Sequence, residues 1–70
     1  MMPLTMAETD REIRIRKIGG KDEIRHFLES LGFMMGGFVT VVSEMNGNLI
    51  VRVKDSRIAI SKEMANKIMI

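Results

Sequence analysis

A chain of 70 residues with no cysteine has to hold its fold together without a disulfide. A domain this short hides only about 60% of the surface its unfolded form exposes. Its single core supplies roughly 3–5 kcal/mol, and many natural domains of this size add a covalent or metal staple. Structural zinc is no substitute here, because thiolates are absent and the sequence has one histidine. The fold must stand on apolar packing, on a partner, or on both. Length allows one domain, residues 1–70.

Composition narrows the function classes. There is no Trp or Tyr, and the three Phe are Phe27, Phe33 and Phe38, at least two of which the core is expected to take. Aromatic grooves for proline-rich peptides and base-stacking platforms need more exposed rings than that. Eleven Lys and Arg against nine Asp and Glu leave a net charge of +2, with no basic run dense enough for a phosphate-binding stripe. Nucleic acid is therefore not an expected partner. No stretch approaches the ~20 apolar residues of a membrane span. The apolar start Met1–Ala7 is too short for a signal segment and lacks a basic lead-in. The expected location is the cytoplasm.

The chain order is read from its periodicities. Ile13 and Ile15 alternate with charged residues in the stretch Arg11–Ile18, the period of a half-buried strand. After Gly19-Gly20, the residues Ile24, Phe27, Leu28 and Leu31 share one face of a helix over Lys21–Leu31, with Asp22 as its cap and Gly32 as its left-handed stop. Phe38–Glu44 is rich in β-branched residues and reads as a strand. Asn46-Gly47 signals a tight hairpin. Leu49–Lys54 returns with Leu49, Val51 and Val53 inward, and Asp55-Ser56 turns the chain into Arg57–Ile60. Ser61 caps a helical turn through Ala65, and Lys67–Ile70 closes the sheet. The expected architecture is mainly β: a small antiparallel barrel of about five strands, with the one helix packed across an end.

Motifs for chemistry are missing. No serine stands in a nucleophile elbow, and Gly19-Gly20 lacks the Walker spacing. Neither do the carboxylates form a paired constellation; Glu29, four residues after Arg25, suits a helix-surface ion pair. The sequence is not expected to encode an enzyme. His26 is the one candidate metal ligand, and with no further His, Cys or acidic residue at a ligand spacing its plainer reading is a solvated surface histidine. The eight methionines read as core filler and adaptable contact surface. Met34-Met35, framed by Gly32 and Gly36-Gly37, form either an exposed apolar knob that marks a partner surface, or a plug in the barrel end with its neighbour lying flat.

The segment Leu28-Glu29-Ser30-Leu31-Gly32-Phe33-Met34-Met35-Gly36 resembles the signature Leu-x-x-Leu-Gly-apolar-x-Pro-Gly of the FeoA family, ferrous iron transport protein A. The Val-rich strand (Val39, Val41, Val42), the hairpin, Val51-Arg52-Val53, Arg57–Ile60 and the ending Glu63–Ile70 follow in the family's order, so the resemblance covers nearly the whole chain. It implies an SH3-like barrel and a cytoplasmic accessory role beside FeoB, the ferrous-iron transporter of the membrane, to whose inner face the protein would be recruited. The same domain type closes some metal-dependent repressors, so the alternative is a domain that binds or senses a divalent transition metal such as iron, through His26. No cofactor is otherwise implied. The expected contact surface is Phe33, Met34, Met35, Gly36 and Gly37, with Arg25 as a rim charge; weak self-association is the alternative contact. Three departures stand out. Met35 replaces the usual Pro, Asp10 stands where a Gly is usual, and Lys54-Asp55-Ser56 replaces a Gly-containing turn, which leaves Asp55 or Ser56 to take its special dihedrals.

Overall fold

The computed structural model describes residues 1–70. A 3-10 turn at Leu4–Met6 precedes strands β1 (Glu12–Arg14) and β2 (Lys17–Ile18), helix α1 (Asp22–Ser30) and strands β3 (Phe38–Met45), β4 (Asn48–Val53) and β5 (Ser56–Ser61). Helix α2 (Lys62–Ala65) and strand β6 (Ile68–Met69) end the chain. All pairings are antiparallel, in one sheet of order β1-β3-β4-β5 and a second of order β2-β6. The mainly β architecture with one substantial helix agrees with the sequence reading, with six strands against the expected about five.

The extra strand comes from a change of partner inside Arg11–Ile18. The Ile15 N–H donates to Gly37 O at 2.8 Å, on the β3 side. One residue later the Arg16 N–H donates to Met69 O at 2.8 Å, on the β6 side. Successive residues of a strand point their main-chain groups to opposite edges. The corner at Ile15–Arg16 exploits this to join the two sheets, and Ile15 itself is fully buried there.

Alternation fixes the barrel interior. Val39, Val41, Leu49, Val51, Val53 and Ile60 are buried, and Leu4, Ile68 and Ile70 close the core. The hairpin turns at Asn46 (φ 51°) and Gly47 (φ 80°), both in the left-handed region that a two-residue loop requires. In the next turn Lys54 (φ 53°), not Asp55 or Ser56, takes the left-handed conformation, because the first central residue of so short a loop must twist with the strands. Asp10 is left-handed too (φ 63°), which an acidic side chain tolerates better than most. Ser61 caps α2 as expected, its hydroxyl accepting from the Met64 N–H at 3.1 Å.

Helix α1 corrects two expectations. Its N-cap is Lys21, without a side-chain cap bond; Asp22 lies in the first turn and pairs with Arg25. Leu28 is fully buried and Ile24 and Leu31 pack against the core, but Phe27 is 48% exposed. A nine-residue helix lying on a small barrel buries only the stripe 24–28–31, which leaves position 27 on the rim. Phe38 is also about half exposed, so of the three Phe only Phe33 belongs to the core.

Candidate functional site

The end of α1 sets the site. Gly32 (φ 108°) donates to Glu29 O at 2.9 Å, and Phe33 N–H donates to Leu28 O at 3.1 Å. These two bonds are those of a Schellman stop, which brings the residue after the glycine back onto the last helical turn. Phe33 is accordingly buried beside Leu28 in the core, both with no exposure at all. Its side chain is therefore not a contact residue, contrary to the expectation that grouped it with the loop.

The next four residues form a turn. Gly37 N–H donates to Met34 O at 2.9 Å, and Gly36 has φ 86°, while Met35 has no positive φ. A positive φ at the third position alone defines a type II turn, whose second position favours Pro. Met35 occupies that second position. Two bonds to the buried Ile15, from Gly36 N to Ile15 O and from Ile15 N to Gly37 O, each 2.8 Å, pin the turn to the β1–β2 corner. The methionines thus project from a braced turn, with Met34 48% and Met35 73% exposed. Neither plugs the barrel end; Phe33 fills the core instead. Lys54 Nζ lies 3.8 Å from Met34 Sδ and steadies its outer end.

Met35 also forms one wall of a groove of about 400 Å³ lined by Lys17, Ile18, Arg25, His26 and Glu29. The structure therefore brings Arg25, His26 and Met35 together, as residues of one surface. Arg25 reaches Asp22 rather than Glu29, so the expected Arg25–Glu29 ion pair does not form. Three groove residues, Lys17, Ile18 and Glu29, were not legible as site residues. Glu29 carried a local signal, standing three residues after His26 on the same helix face, which corrects the expectation that no acidic residue accompanies that histidine.

That His26–Glu29 pair is the strongest metal candidate, and its chemistry does not suit a divalent cation. It offers two donors, no third His, Cys, Asp or Glu joins them, and Lys17 and Arg25 line the same groove with positive charge. A wider depression of about 710 Å³ lies between the N-terminal residues Met1 and Met2, strand β1 and Ile70, and contains none of the candidate contact or metal residues read from sequence. No helix is long and apolar enough to cross a membrane.

Comparison with known proteins places this geometry. "Putative Fe(2+) transport protein A" of Methanocaldococcus jannaschii is 34% identical over 70 residues, covering the whole of this chain and 85% of that protein. The crystal structure of an iron uptake regulatory protein, FeoA, superposes with a TM-score of 0.86 at 28% identity, covering 96% of this chain and 89% of the other. A FeoA-like protein of Clostridium acetobutylicum (TM-score 0.85, 14% identity, 96% and 80% covered) shares the fold. So does part of the zinc-bound protein ScaR (TM-score 0.86, 14% identity, 97% of this chain and 35% of that one). With the FeoA domain model matching residues 2–70 and a relative 34% identical along the full length, the chain belongs to the FeoA domain family.

Proposed function

We propose that this protein is a cytoplasmic accessory of ferrous iron uptake that docks on a cytoplasmic domain of a FeoB-type transporter and modulates it. It acts by binding, not by catalysis. The observation that carries the reading is the braced Met34–Gly37 turn, which holds Met35 73% exposed beside a groove edged by Arg25 and Lys17. A preorganised turn loses little backbone freedom on binding, and methionine adapts to an uneven partner surface. Family membership supports ferrous iron as the cargo of the partner. In this reading the protein sits at the inner face of the membrane because its partner does.

The test is co-purification of the transporter's cytoplasmic domain with Met35→Asp. The side chain is mostly in solvent, so the fold survives and capture is lost; capture equal to wild type removes the turn from the interface. The metal-sensing alternative predicts His26-dependent NMR shifts on titration with Mn(II). The two-donor, cation-flanked groove predicts no saturable shift at micromolar protein.

A further inference from the structure

The solvent face of the four-stranded sheet carries a charge arrangement that folding alone disfavours. In the register of the sheet Glu12 lies opposite Thr40, Thr40 opposite Arg52, and Arg52 opposite Arg57. Residues directly opposite share a face, so two guanidinium groups stand side by side on neighbouring strands. Like charges in that position destabilise a sheet. One step along, Arg14 lies opposite Phe38, with its guanidinium 5.2 Å from the ring centroid, and Lys54 lines the same shallow depression as Phe38 and Arg52. Arg14, Arg52, Lys54 and Arg57 are all exposed. None takes part in the three ion pairs of the molecule, which are Arg11–Glu8, Arg25–Asp22 and Lys62–Glu44. Of the carboxylates, Glu12 lines the depression, Asp55 stands in the β4–β5 turn, and Asp10 lies two residues before Glu12 with its N–H on Val41 O.

We infer that this face is a second part of the docking surface and meets a carboxylate-rich surface of the partner protein. The inference rests on the docking reading above and names the chemistry of the partner. Lys54 joins the two parts, since it lies on the basic face and its Nζ touches Met34. Guanidinium groups on a rigid sheet suit bidentate pairing with carboxylates. The exposed Phe38 ring, held under Arg14, supplies an apolar centre of the kind found in interface cores. An acidic partner also relieves the Arg52–Arg57 repulsion that the free protein bears. A nucleic-acid backbone is the poorer occupant, because Glu12 lines the depression with Arg52 and Lys54 and would face phosphates.

The experiment compares wild type, Arg52→Gln/Arg57→Gln and Met35→Asp, each with the purified cytoplasmic domain of the transporter at low and high salt. Arg52→Gln/Arg57→Gln is expected to bind on the order of tenfold more weakly at low salt and to lose much of the wild-type salt dependence. The same variant is expected to unfold at a higher urea concentration than wild type, because the like-charged pair is gone. Weaker binding by a more stable protein is a combination that a purely structural role for these arginines does not produce. Equal binding by the arginine variant, with Met35→Asp defective, overturns the basic face and leaves the turn standing. Failure of wild type to bind the domain at all overturns the docking reading and this inference with it. Arginine-dependent retention of a duplex oligonucleotide at the same protein concentration overturns the protein-partner assignment.

Discussion

Phe33 and Met35 sit two residues apart and do opposite jobs. The left-handed Gly32 turns Phe33 inward, where it has no exposure, and the type II turn sends Met35 outward. Truncating a buried Phe to Ala costs about 3–5 kcal/mol, which is comparable to the whole stability a core of this size supplies, roughly 3–5 kcal/mol. Phe33→Ala is therefore expected to be largely unfolded at room temperature, seen as loss of amide dispersion in an NMR spectrum. Met35→Pro is expected to do the reverse. Its N–H makes no backbone hydrogen bond, and its place in the turn is one where Pro is favoured. The gain is about 0.4–1 kcal/mol from the reduced freedom of the unfolded chain, read as a higher midpoint in urea. The same substitution removes the methionine side chain, so it separates stability from binding at one position.

At the scale of elements, local signals predicted what local forces decide. Strands β3 and β4 were legible because inward Val and Leu alternate with polar residues and Asn46-Gly47 names its own turn. The short α2 was legible through Ser61; replacing Ser61 with Ala is expected to cost about 0.5–2 kcal/mol, checked by urea unfolding. The split of Arg11–Ile18 into β1 and β2 was not legible. Its alternation slips by one residue at Lys17–Ile18, but the slip does not say which partners the two halves take, and the long-range bonds of Ile15 to Gly37 and of Arg16 to Met69 reveal the corner. The burial of Phe33 was legible in principle, since Leu28, Gly32 and Phe33 stand at the spacing of a Schellman stop. The glycine-framed appearance of residues 32–37 hid it. The groove beside Met35 was half legible: Arg25 and His26 stand out as residue types, whereas Lys17 and Ile18 are placed there by the long-range pairing of β2 with β6.

The whole molecule is a thin core under a surface with three distinctive regions. Fourteen residues are buried, none of them polar, so the interior holds the fold and offers no chemistry. The molecule's distinctive features lie outside, in an apolar turn, a groove with positively charged edges and a basic sheet face, which Lys54 connects to the turn. The start of β3 lies at the same end as the turn, and the Asn46-Gly47 hairpin lies at the other end of that strand. Docking through the turn therefore predicts a one-sided footprint. The direct measurement is an NMR titration of isotope-labelled protein with the unlabelled cytoplasmic domain of the transporter. The expected result is broadening or shifts at Met34–Gly37, Lys17, Arg25 and Lys54, with Asn46-Gly47 and α2 undisturbed. Shifts centred on Asn46-Gly47 and α2, with Met34–Gly37 unchanged, would contradict the account.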